Sequence, residues 1–325
     1  MKTKFLKKAL VLLFIGFLFT TCTSKRACTA AADIIEVAPV PQGYTVIPES
    51  PRPGEPVTIG ATFNVQTAAL FAGERRLARA QFFTIPAADA TPEFLAAVFT
   101  VPSTASPGPA VIILEDEYGI VSEITITIAE REFASETINL TPALGRLFTE
   151  PNPQRAVEAE RLWAILGTTG TEFFHTGKFM PPVTSTRRTS HFGTRRINRH
   201  PDGRTTTAIH AGIDFGIPTG TPVFASGNGK VVLASMRILS GNSVIIEHGP
   251  GIYSIYYHLD EITVQENDMV EAGDLIGLSG STGFSTGPHL HWELRISGEN
   301  TDPDAFLYRP IIDKELIISN IKNRD

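Results

Sequence analysis

Cysteine is nearly absent from this 325-residue chain. Cys22 and Cys28 are the only two, and both fall near its start. The bulk of the chain therefore holds no disulfide framework and no thiolate metal centre, so any metal site must use His and carboxylates. Charge is low and of the wrong sign for nucleic acid: 19% of residues are charged and the net charge is -6. Removing residues 1–21 takes away four Lys and leaves -10. Such a chain has no electrostatic footprint for a phosphate backbone. No long polar tract argues for wholesale disorder, and no HExxH helix signature occurs. What is abundant is Gly (27) and Pro (23), which point to many turns and short strands rather than long helices. The length allows two domains, each with its own core.

Lys2, Lys4, Lys7 and Lys8 precede an apolar run from Ala9 to Phe19. The run is too short for a comfortable bilayer span and reads as an export leader over residues 1–32. Phe19-Thr20-Thr21-Cys22 resembles a bacterial lipobox, in which Cys22 would carry lipid and become the new N-terminus. It departs from that pattern at Phe19 and Thr21. A soluble exported protein cleaved near Ala30 to Ala32 and an uncleaved anchor are the alternatives.

Residues 33–140 read as a β-sandwich, immunoglobulin-like in general form. Ile124, Ile126 and Ile128 alternate with Thr125 and Thr127, Val57, Ile59 and Ala61 alternate similarly, and Val111 to Leu114 is a short apolar run. Turn signals such as Pro51-Arg52-Pro53-Gly54 and Ser106-Pro107-Gly108-Pro109 separate them. Residues 141–185 read as a linker with one amphipathic helix, started by Asn152-Pro153 and ended by Gly167, with Ala159, Leu162, Ile165 and Leu166 on its apolar face. Residues 186–310 read as a second β domain, with strand candidates Val231–Ala234, Ser243–His248, Tyr253–His258, Leu275–Ser279 and Leu290–Ile296. Residues 311–325 read as a tail.

Chemistry concentrates in the second domain. In a strand, residues two apart share a face, so His289 and His291 point one way and Leu290 and Trp292 the other. Glu293 joins the histidines, either as a partner behind the site or as a strand-edge carboxylate. His210 and Asp214 would lie roughly 13 Å apart on a straight strand, so the chain must bend between them; Gly212 suits that bend and leaves room for an ion. His258 is expected to share a face with Tyr256. An HxH pair alone is usually two half-exposed histidines. His175, His191, His200 and His248 fit no motif and read as ordinary surface or strand-end residues.

Taken in order, His210-x-x-x-Asp214, Tyr256-Tyr257-His258 and His289-Leu290-His291 resemble the M23 metallopeptidases of the lysostaphin and LytM type. Ser190-His191-Phe192-Gly193-Thr194-Arg195, Ile213 to Val223 and Thr286-Gly287-Pro288-His289 extend the resemblance over roughly residues 186–305. It implies an antiparallel, duplicated-hybrid-motif-like fold. It implies Zn2+ held by His210, Asp214 and His291, with His258 and His289 as catalytic histidines; which takes the proton and which stabilises the oxyanion stays open. Phe192 and Arg195 are candidates for shaping a substrate groove or the metal's neighbourhood, and Tyr256, otherwise a packing residue, for the wall of that groove.

The implied partners are peptidoglycan stem peptides and their crosslinks, with no nucleic acid, and membrane contact only through the leader or a lipid on Cys22. The implied location is the periplasm or cell envelope. The competing reading is a non-catalytic wall-binding module or amidase activator; such relatives lose metal ligands, whereas all five positions are filled here. A modular enzyme would keep hydrolysis in residues 141–325 alone. A latent form, with the N-terminal region over the groove, has no obvious pseudo-ligand in residues 33–185.

Overall fold

The computed structural model describes residues 37–39, 41–87, 91–168 and 170–324. The leader and the Cys22 reading lie outside the described residues. No helix among the described residues is long and apolar enough to cross a membrane.

The N-terminal half forms two sheets over one core. One sheet runs Val37–Ala38, Val121–Ile128, Gly108–Glu115, Thr67–Ala72, Arg75–Gln81; the other runs Tyr44–Ile47, Pro56–Ala61, Phe94–Thr100, Phe83–Ile85. Ile124, Ile126 and Ile128 are buried between exposed Thr125 and Thr127, as the alternation requires. They meet Val57, Ile59 and Phe99 of the facing sheet.

The last strand before residue 140 pairs with the C-terminal half. Ser135–Asn139 leaves the sandwich and pairs in parallel with Arg195–Arg199, which pairs in turn with Thr205–Ile209. The linker carries two helices rather than one, Pro142–Thr149 and Pro153–Gly167. Asn152 caps the second by accepting from the Gln154 amide, 2.9 Å away. Leu162, Ile165 and Leu166 dock on Leu233, Ile245, Tyr253 and Tyr257, while Ala159 stays exposed.

Most of the C-terminal half is one antiparallel sheet. Its main order is Arg188–Ser190, Ile213–Phe215, Leu290–Ile296, Ile252–Ile262, Gly241–Gly249, Gly229–Arg237, Met269–Val270. One face buries Leu290, Trp292, Leu294, Tyr256 and Phe215. The opposite face of the same strands carries His291, Glu293 and Asp214.

The two halves share a core, which the expected modularity did not foresee. Phe94, Ala96 and Val98 of the sandwich cluster with Phe306, Ile317 and Ile321 of the C-terminal segment. The expected tail is instead a docked helix, Lys314–Arg324; its Ile317 lies so close to Gly60 that a Cβ there would collide with it. Arg131 pairs with Asp302 at 2.5 Å, and Thr58 donates to the Ile311 carbonyl at 3.0 Å. Residues 141–325 alone would expose this apolar seam to water.

Candidate metal centre

Register brings the site together. Asp214 lies directly opposite His291, and His291 directly opposite Tyr257 on its other side. His210 follows the strand Thr205–Ile209, and the chain turns at Gly212 to bring it back. A Cβ on Gly212 would strike the Trp292 carbonyl. The glycine thus makes room for a neighbouring strand, and not for an ion as expected.

The hydrogen bonds fix which ring atoms face inward. His210 Nδ1 donates to the His191 carbonyl at 2.8 Å, leaving Nε2 with the lone pair. His291 Nε2 lies 2.9 Å from Glu293 Oε1. An ionised carboxylate only accepts, so this nitrogen carries the proton and Nδ1 faces the site. Asp214 Oδ1 is 2.7 Å from His291 Nδ1 and 3.0 Å from His210 Nε2, and the two nitrogens are 3.0 Å apart. All three residues are buried.

Three converging acceptors repel one another unless positive charge sits among them. A proton is one solution. Burial would lower the His291 pKa, but hydrogen bonds to Asp214 and Glu293 outweigh it and push the group up to about 9. Burial likewise opposes the Asp214 carboxylate, yet its bonds with His210 and His291 hold it well below the usual carboxylate range. A divalent cation satisfies all three at once. Tetrahedral zinc, bound at about 2.0–2.2 Å, spaces its ligand atoms about 3.3 Å apart, close to the 2.7–3.0 Å seen. The donor set fits such an ion, and His210, Asp214 and His291 are a cluster able to hold one.

Two further histidines flank the cluster. His289 Nδ1 donates to the Gly287 carbonyl at 2.8 Å, and its Nε2 is 3.8 Å from Asp214 Oδ1. His258 Nδ1 donates to the Thr282 carbonyl at 2.7 Å. The two rings are 4.7 Å apart. Burial, then the neighbouring His289 and His291, lowers His258 to about 3, so its ring is neutral.

The expected face of His258 is corrected here. Strict alternation would place it with Tyr256, but Tyr256 points into the opposite core and Tyr257 stacks on His291 at an interplanar angle of 8°. A bulge explains this: Tyr256 to Leu259 spans the partner residues Val244 to Asn242. His258 takes φ 62, a left-handed value uncommon for a side chain of its size, and this re-aims the ring at the site.

None of the three groove candidates lines a groove. Tyr256 is fully buried, its hydroxyl accepting from the Ser226 amide at 2.8 Å. Phe192 is buried beside Phe133 under Arg131. Arg195 lies over Phe133 and donates to the Ser103 carbonyl at 2.6 Å, so it ties the two halves together. Nor are three of the four remaining histidines surface residues: His175, His200 and His248 are buried, and His248 bonds Asn228 O and Ser254 Oγ at 2.7 Å each.

A second layer holds the cluster. Glu293 Oε2 accepts from Arg295 and Asn300 at 3.0 Å each, so Glu293 is a partner behind the site rather than a strand-edge carboxylate. Asp214 Oδ2 accepts from Arg196 at 2.6 Å, and Arg196 Nε donates to Glu136 at 2.5 Å. Sequence reasoning missed Arg196 and Glu136. The only available signal was alternation, which sends Arg196 to the face opposite Arg195.

Fold and site together define an antiparallel β domain built around a carboxylate–histidine cluster able to hold a metal ion. Residues 208–303 match the model of Peptidase family M23, and the C-terminal half therefore contains an M23 peptidase domain. Over 118 residues the chain is 46% identical to peptidoglycan DD-endopeptidase ShyA of Vibrio cholerae serotype O1, a match covering 36% of this chain and 27% of that protein. Over 122 residues it is 43% identical to DD-carboxypeptidase/endopeptidase Mpg of Neisseria meningitidis serogroup B, covering 38% and 27%. The chain thus spans 27% of the length of these relatives. A crystal structure described as an M23 peptidase of Pseudomonas aeruginosa shares the fold at a TM-score of 0.58 and 22% identity, covering 79% of this chain and 94% of that one.

Proposed function

We propose that this protein is a zinc-dependent endopeptidase that hydrolyses peptide crosslinks of bacterial peptidoglycan outside the cytoplasm. The observation that carries the reading is the cluster of three inward-facing acceptors, His210 Nε2, Asp214 Oδ1 and His291 Nδ1, flanked by two more histidines. His210, Asp214 and His291 would hold the ion. Bound zinc supplies Lewis acidity, activating a water and polarising the scissile carbonyl.

His258 and His289 each spend Nδ1–H on a backbone carbonyl, so each offers Nε2 as an acceptor. A neutral ring so placed takes the proton of the attacking water. Once protonated, that ring becomes a donor to the oxyanion or to the leaving amine. Burial keeps His258 neutral, so its Nε2 carries no proton before reaction. The relatives are named for DD-peptidase activity, and a crosslink from a D-alanyl residue to a diamino acid fits that class better than a glycyl bridge. Export by the leader, with Cys22 as a lipid site, accords with a wall substrate.

The test pairs metal content with digestion. The protein is purified, its zinc counted, and intact peptidoglycan incubated with it and with Asp214→Ala. About one zinc per chain and release of uncrosslinked peptides by the wild type alone is the expected result. Zinc without digestion would point to a latent form or to a different wall chemistry. Absence of both would overturn the metal reading and leave a wall-binding module or amidase activator.

A further inference from the structure

Asp214 is held at both oxygens. Oδ1 faces the two imidazoles, while Oδ2 accepts from Arg196 at 2.6 Å. Arg196 Nε lies 2.5 Å from Glu136 Oε1, and Ser190 Oγ donates to that same oxygen at 3.0 Å. Register builds this chain of contacts: Glu136 is paired with Arg196, and Ser190 with Asp214. Glu136 stands on the strand Ser135–Asn139, outside residues 208–303 and ahead of both linker helices.

We infer that Glu136 and Arg196 form a clamp that fixes Asp214 for one-oxygen ligation, which makes the strand Ser135–Asn139 part of the metal centre. The inference rests on the metal reading above. A free carboxylate can rotate, offer both oxygens to an ion, or swing towards His289 Nε2, 3.8 Å away. Arg196 occupies Oδ2 and leaves only Oδ1 for the cluster. A lone guanidinium beside a dication would repel it. Glu136 neutralises that charge, so orientation is gained without repulsion. Arg196 is a positioning residue: it touches the ligand and not the reacting atoms.

Zinc affinity of the full chain, measured by competition with a chromogenic chelator, tests the clamp. Arg196→Ala should bind zinc about 10- to 100-fold more weakly, the usual effect of losing an outer-shell partner. Arg196→Lys should fall between it and wild type. Glu136→Gln should weaken binding by less than Arg196→Ala, and the double variant Glu136→Gln/Arg196→Ala by no more than Arg196→Ala alone. Cobalt(II) gives a second readout. The visible bands of the Arg196→Ala complex should weaken and shift as the carboxylate becomes two-oxygen, a change that a purely structural role would not produce. Circular dichroism checks the fold, and if Arg196→Ala fails to fold, Arg196→Lys and Glu136→Gln decide. Wild-type affinity and an unchanged cobalt spectrum in the folded variants would overturn the clamp. Wild-type protein that binds no zinc would instead overturn the metal reading, and the clamp with it.

Discussion

The strand Leu290–Ile296 has two faces, equally dry and chemically opposite. Leu290, Trp292, Leu294 and Ile296 lie at 0–1% exposure, while His291 and Glu293 lie at 7% and 3%. On the first face, packing against Phe215, Tyr256 and Ile213 needs shape but no direction. On the second, each polar atom needs a named partner, because an unpaired buried charge costs several kcal/mol. His291 leans on Glu293, Glu293 on Arg295 and Asn300, and Asp214 on Arg196. The apolar face thus serves packing, and the polar face holds the cluster able to take an ion.

Breaking the polar face should give the largest effect on chemistry. Asp214→Ala is expected to lose bound zinc and lower wall digestion by about three orders of magnitude or more, since metal activation of water is lost. Metal analysis and peptide release measure the two losses. Trp292→Ala breaks the other face. Urea unfolding of the zinc-free protein should show a loss of about 3–5 kcal/mol. Folded Trp292→Ala should still bind about one zinc; if it loses zinc as Asp214→Ala does, the two faces are not separable. Glu293→Gln is milder, weakening zinc about 10- to 100-fold by chelator competition while the fold persists.

The subtlest expectation concerns pH. His291 is raised to about 9 without an ion, from the ordinary imidazole value of 6.5. A cation must displace that proton, so zinc affinity should rise with pH and level off near 9, with close to one proton released per ion at pH 7–8. Calorimetry in two buffers of different ionisation enthalpy reads the proton. The same shift stabilises the zinc-free fold: the contribution is full below about 6.5 and is lost as pH rises through about 9. Thermal unfolding should show the zinc-free form losing stability over that window. The zinc-loaded form, with no proton to lose at His291, should not.

Much of the site was legible in local pattern. His289, His291 and Glu293 share a face because strand side chains alternate, and that holds wherever the ladder is regular. Alternation failed at His258, where a bulge inserts one extra residue and resets the face. The motif resemblance, for its part, gave no sight of the surroundings of Phe192 and Arg195. Both sit in a matching motif, but their surroundings come from Phe133, Arg131 and Ser103 on the other half of the molecule. The buried state of His248 was equally hidden, since its partners Asn228 and Ser254 reach it only when strands pair.

By itself, the sequence determined the strand-rich class, the helix start at Asn152, the negative net charge, and the order of three residues able to hold a cation and two histidines beside them. These are properties of short segments, set by side-chain period, cap chemistry and composition. Tertiary structure alone decided that Gly212 serves a strand crossing, that the last eleven residues of regular structure dock on the sandwich, and that Glu136 reaches Asp214 through Arg196. Glu136 and Asp214 are 78 positions apart. No local periodicity encodes such a contact; it exists only once the strands that carry the residues are laid side by side.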